Sequence, residues 1–143
     1  MLTQEEFNLL LGYDKKFKKD DHIQLGPHPH RWTREIISNN SHDTFLLDFT
    51  RTSIEIKKFS VNKRYKTAVV MLRYCSNGIH TNPDSTTING PHVHLYREMY
   101  DDKIAFDPSL IGIDPTFNME QVFRRIMEYT NIKGLPVIQV DLF

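Results

Sequence analysis

The chain has 143 residues, 18 basic against 18 acidic, and is 39% hydrophobic. That length suits a single domain over residues 1–143, and the balanced charge excludes the electrostatic footprint of a general nucleic-acid coat. One cysteine, Cys75, excludes an internal disulfide and a cysteine-only zinc site. No apolar run reaches bilayer length, and the N-terminus (MLTQEEFNLL) is acidic where a signal peptide is basic. A cytoplasmic protein with no membrane partner is expected.

Taken in chain order, the first element is a helix. Thr3 and Glu6 form a capping box, with Leu2 and Phe7 at the staple positions. Phe7, Leu10, Asp14 and Phe17 keep helical spacing, and the cations of residues 15–19 suit a last turn. Residues 22–32 (HIQLGPHPHRW) read as a loop or an edge segment, and 33–38 as a short strand. Strands are expected over 44–49 and 54–59, joined by a link at 51–53, with a second tight link at 61–63. Residues 65–75 are apolar on both faces, which marks a strand inside a sheet. The polar stretch 76–91 has no periodicity and reads as a functional loop, with Ile79 and Ile88 docked at its base and His80 near the next strand. Residues 92–98 alternate as a strand, 103–106 return, and 107–115 are loop. A second helix over 118–129 carries the stripe Met119, Val122, Phe123, Ile126, and 137–143 end as an edge strand. The fold class is α+β: an antiparallel sheet of about five to seven strands with an N-terminal and a C-terminal helix packed on it.

Seven histidines are the unusual feature of the composition. Residues two apart in a strand share a face. His92, His94, Tyr96 and Glu98 therefore point one way, and Val93 and Leu95 point to the core. Two imidazoles, a phenol and a carboxylate in a row form a catalytic or ligating inventory. Arg73, Tyr74 and Cys75 end the neighbouring apolar strand, so a guanidinium reaches the same face if the two strands pair. His22 and His42 read as surface residues, and His28 and His30 as loop residues.

Two chemistries compete for this cluster. Metal-independent cleavage of RNA needs a base, an acid and a cation on the phosphorane. His92 and His94 supply base and acid, His80 and Arg73 orient phosphate, Tyr96 adds a hydrogen bond, and Arg97 and Tyr74 contact substrate. That reading needs no cofactor and takes RNA as partner. In the alternative, His92, His94, Glu98 and His80 hold a divalent metal such as zinc. The spacing His92-x-His94-x-x-x-Glu98 resembles the first metal-binding motif of the cupins, although no histidine follows His94.

A wider resemblance covers nearly the whole chain. Residues 2–6 (LTQEE), 45–48 (FLLD), 72–74 (LRY), 80–84 (HTNPD) and 91–94 (PHVH) resemble the pattern of a small uncharacterised family of Gram-positive bacteria, phages and mobile elements. That resemblance brings no established activity. The HTNPD and PHVH segments are also similar to short RNA-cleaving toxins of toxin–antitoxin modules, which implies a ribonuclease with a cognate antitoxin. A phage-type inhibitor of a host protein is the non-enzymatic alternative, and it needs an exposed patch of the kind Arg31, Trp32, Arg34 and Tyr100 offer.

Overall fold

Thr3 opens helix α1 (Gln4–Gly12): its hydroxyl accepts from the Glu6 amide at 3.0 Å, and the Glu6 carboxylate accepts from the Thr3 amide at 2.9 Å. The computed structural model describes residues 2–19, 22–27, 29–39, 42–51, 59–66 and 68–140. The helix stops at Gly12, earlier than its spacing predicts, and residues 15–17 form strand β1 (Lys15–Phe17). Burial there alternates, with Lys15 and Phe17 inside and Lys16 outside. The Lys15 amine still serves the helix end that it was expected to serve: it donates to the carbonyls of Leu11, Tyr13 and Thr130 at 3.0, 2.8 and 3.0 Å.

The remaining strands are β2 (Ile23–Gln24), β3 (His30–Ser38), β4 (Thr44–Arg51), β5 (Phe59–Tyr65), β6 (Val69–Cys75), β7 (Ile79–Thr81), β8 (Thr87–Asn89), β9 (His92–Leu95), β10 (Ala105–Phe106) and β11 (Ile138–Gln139). Helix α2 (Met119–Tyr129) follows a short 3-10 turn (Pro108–Ile111). One antiparallel sheet runs β1-β3-β4-β5-β6-β9-β10. β2 and β11 pair in parallel, and β7 and β8 make a separate hairpin. This is the α+β arrangement expected, with a seven-stranded sheet and a helix near each end of the chain.

Several boundaries differ from the expectation. Residues 61–63 are not a link but the middle of β5. The strand expected over 65–75 is divided: Tyr65 closes β5, Lys66 turns at φ 55°, and β6 begins at Val69. Most of the strand expected over 54–59, with its link, falls outside the described residues. The stretch 76–91 is a hairpin rather than an irregular loop, because Thr81 and Thr87 register across it. Among the described residues, no helix is long and apolar enough to cross a membrane.

Both helices pack on one face of the sheet. Phe7 and Leu10 of α1 and Val122, Phe123, Ile126 and Met127 of α2 join Phe45, Leu47, Phe49, Leu72, Tyr74, Val93 and Leu95 in one cluster. Each such side chain, fully buried, contributes about 1.5–3 kcal/mol. Phe123 meets Phe49 and Trp32 edge-on at 6.5 and 6.1 Å. Trp32 also stacks on Phe49 and donates its indole N–H to the Gln24 carbonyl at 2.7 Å. It belongs to the rim of the core and not to a free docking patch, and the Arg34 guanidinium lies over its ring.

Two lysines are buried in this core. Their amines stand 5.1 Å (Lys15) and 4.9 Å (Lys63) from the Phe45 ring centroid. Lys15 is satisfied by its carbonyls, and burial lowers its pKa to about 8. Among the described residues the Lys63 amine has no hydrogen-bond partner, and burial, with the Lys15 charge second, pushes it well below the usual lysine range. Between that lowered value and the ordinary 10.5, the unfolded chain binds more protons than the folded one. Stability therefore rises as pH climbs through this window and is lost as pH falls through it. Lys63→Met should stabilise the protein at neutral pH by about 1 kcal/mol or more and flatten that slope. Urea melts of both proteins between neutral pH and about pH 10 check this; a less stable methionine variant would contradict it.

Candidate functional site

The site begins with the pairing of β6 and β9. Arg73 registers with His94 and Cys75 with His92, while Tyr74 registers with Val93 on the core face. Alternation along both strands thus sets Arg73, Cys75, His92 and His94 together on the face away from the helices. Hairpin β7–β8 folds back over that face. Gly78 and Gly90 frame it at φ 106° and 100°, and the Gly90 amide donates to the Gly78 carbonyl at 2.8 Å. Side chains are strained at such φ, so glycine suits both positions. Asn82 clamps the hairpin to β10. Its amide nitrogen donates to the Ala105 carbonyl at 3.0 Å, and its oxygen accepts from the Ala105 amide at 2.8 Å. Covered on both sides, His92 is 5% exposed and His94 2%.

The three imidazoles are mutually close. His80 is 4.6 Å from His94 and 5.9 Å from His92, and His92 is 5.0 Å from His94, between ring centroids. Each spends one nitrogen on a backbone carbonyl: His92 Nδ1 on Gly90 at 2.9 Å, His94 Nδ1 on Asp102 at 2.8 Å, and His80 Nε2 on Lys103 at 2.8 Å. A carbonyl only accepts, so those nitrogens carry the protons. In the neutral rings this assigns the lone pairs to Nε2 of His92 and His94 and to Nδ1 of His80. One ring nitrogen from each of His92 and His94 and the Cys75 sulfur lie within 4.8 Å of one another.

Arg73 stands beside them. Its Nη2 is 3.5 Å from His94 Nε2 and 3.4 Å from an Asp102 carboxylate oxygen, and its buried Nε has no hydrogen-bond partner among the described residues. Burial first, then the Arg73 charge, lowers the His94 pKa to about 4, against the opposing pull of the Asp102 carbonyl. Burial also pushes the Cys75 thiol up, which Arg73 partly offsets.

Four residues expected at the site from the sequence therefore meet: His80, His92, His94 and Arg73. The other expected members do not join them. β9 ends at Leu95, and beyond it the alternation no longer holds. The Tyr96 amide donates to Met71, its ring stacks on Phe7 at 5.4 Å, and its hydroxyl donates to the Leu2 carbonyl. Glu98 accepts from the Gln4 amide at 2.7 Å, at the start of α1, where a carboxylate also suits the helix dipole. Tyr74 lies on the core face, where burial raises its hydroxyl to about 12. Arg97 lies over the Phe106 ring in the β9–β10 connection. Ile79 does not dock as expected but is 70% exposed, since it points off the hairpin opposite His80. Sequence reasoning missed Cys75 and Asp102. Cys75 lies two residues from Arg73 in one strand, which was the available signal. Asp102 had none, because a turn brings it in.

Two substitutions separate clamp from scaffold. Asn82→Ala should cost about 1–2 kcal/mol and speed amide exchange at Ala105 and across the hairpin, while the sheet's amides stay protected. Uniform exchange throughout the chain would argue against a separable roof. Tyr96→Phe should cost about 1 kcal/mol through its lost bond to Leu2, seen by urea melts, and leave the imidazole resonances unmoved in proton–nitrogen spectra.

No curated protein and no solved structure matches this chain. Residues 2–132 match the model of a protein family, and the chain belongs to it: the family of unknown function DUF6978.

Proposed function

We propose that this chain holds a divalent transition metal of the zinc class on Cys75, His92 and His94, leaving the fourth position to water or an incoming ligand. The observation that carries the reading is the convergence of two imidazole nitrogens and a sulfur within 4.8 Å inside a covered site. Lone pairs gathered in a desolvated place repel one another unless a proton or cation sits among them. Both rings also donate their other N–H to a backbone carbonyl, the outer arrangement that orients histidine ligands and raises their basicity. Thiolate with imidazole favours zinc-class ions over magnesium or calcium. Three protein ligands are the pattern of a catalytic centre and not of a closed structural one. Glu98, which the cupin-like spacing enlists, is replaced in this set by Cys75 from the neighbouring strand.

The chemistry supplied by such an ion is Lewis acidity and a water activated near neutral pH. The chain's own groups do the rest. The Gly90 and Asp102 carbonyls hold the two rings in one tautomer, and the hairpin keeps bulk water away. Half-buried His80, with Nδ1 unshared, is placed to take up or hand over a proton at the rim. Metal-independent RNA cleavage by His92 and His94 draws less from this geometry. His94, with its pKa at about 4, is neutral at pH 7 and has no proton to lend as an acid. An inhibitor role that leans on Trp32 draws less as well, since that ring is spent on the core.

Protein made without a histidine tag should carry roughly one zinc-class ion per chain. Cys75→Ser and His94→Ala should each weaken metal affinity by at least about 100-fold, and His80→Ala by less than about tenfold, by chelator competition on proteins whose circular dichroism is unchanged. Cobalt-loaded protein should show a thiolate charge-transfer band. A cobalt-loaded protein without that band, or a Cys75→Ser variant with undiminished affinity, would remove the reading.

A further inference from the structure

We infer that the open position of this centre takes a phosphate-class oxyanion, held jointly by the metal and the Arg73 guanidinium; this rests on the metal reading above. The first ground is the state of Arg73. A guanidinium offers five N–H donors in a planar fork. Among the described residues only Nη2 has partners here, and both are long, at 3.5 Å to His94 Nε2 and 3.4 Å to Asp102. Nε is buried without any hydrogen-bond partner among the described residues. A buried, unanswered donor is costly, and the edge formed by Nε and one Nη is the edge that binds an oxyanion in bidentate fashion.

The second ground is charge. A divalent ion on one thiolate and two neutral imidazoles keeps a net positive charge. Arg73 places another within contact of the His94 nitrogen that would ligate it. Asp102 offsets this only through its long contact with Nη2. Two like charges so close disfavour each other, even with the Arg73 side chain partly open to solvent. An anion between them turns that repulsion into two attractions. The arrangement therefore couples metal and anion: each should bind more tightly in the presence of the other.

The third ground selects phosphate over carboxylate. The metal ligands and the Arg73 edge come from the sheet, and the His80 ring, 4.6 Å from His94, comes from the hairpin above it. A tetrahedral phosphate has an oxygen for each of them. A carboxylate has only two.

The test uses the full-length chain loaded with cobalt, with inorganic phosphate and acetate as probes. Phosphate should shift the visible cobalt bands saturably and tighten cobalt binding by about tenfold, while acetate does neither at equal concentration. Arg73→Gln should bind cobalt at least as tightly as wild type in phosphate-free buffer, since a repelling charge is gone, and should lose the phosphate effect. Arg73→Lys keeps the charge without the fork and should weaken phosphate binding by about tenfold; it also serves if the glutamine variant fails to fold. Cobalt binding without any response to phosphate would overturn the oxyanion inference and leave the metal centre standing. A phosphate effect that survives Arg73→Gln would overturn the role of Arg73. Equal tightening by acetate would overturn the phosphate class. A wild-type chain that binds no cobalt would overturn the metal reading and this inference with it.

Discussion

The register between β6 and β9 is the constraint on which the site depends. It sets Arg73 against His94 and Cys75 against His92. A slip of β9 by one residue would send His92 and His94 into the core and bring Val93 and Leu95 out, away from Arg73 and Cys75. The polar cluster does not set this register itself. Burial of Leu72, Tyr74, Val93 and Leu95 against the helices does. Hydrophobic burial on one face thus aligns the donors on the other.

The second requirement is the roof. An antiparallel sheet with helices on one side leaves its other face to water. Here the β7–β8 hairpin covers that face at β9, held by Asn82 on Ala105 and by the paired backbone of Gly78 and Gly90. Desolvation beneath it lowers the His94 pKa and raises that of the Cys75 thiol. Without the roof, the same residues would be ordinary surface groups. Because the roof also delivers His80, the cover and part of the chemistry arrive on one element.

Elsewhere, polar side chains with reactive groups do structural work. Tyr96 and Glu98 hold the start of α1 against the end of β9. At the opposite end of the helix, Lys15 gathers carbonyls from α1 and from the end of α2, so one ammonium ties both helices to the sheet edge. Lys63, packed against the same Phe45 ring, has no such return, and its burial is a local weakness of the core. The contrast shows what decides whether a buried cation is tolerable: the acceptors that reach it, not its depth.

Much of this was legible in the sequence because it depends on local rules. The capping box at Thr3, the apolar stripe of α2 and the alternation that separates His92 and His94 from Val93 and Leu95 follow from period and hydrogen-bonding chemistry within a few residues. The α+β class followed from the same signals. Helix α1 ended earlier than its pattern suggests because tertiary partners for Lys15 and Phe17 outweighed a helical spacing that both segments share. The hairpin over 79–89 was hidden because its short polar strands bury little and have no hydrophobic period. The composition of the site was decided only in three dimensions. Cys75 joined through a cross-strand pairing and Asp102 through a turn, while Tyr96 and Glu98 left where the strand ended. Periodicity specifies which face a residue takes while a strand lasts. Which strand lies beside it, where it ends and what covers it depend on contacts between residues far apart in the chain, and those are set by the packing of the whole fold.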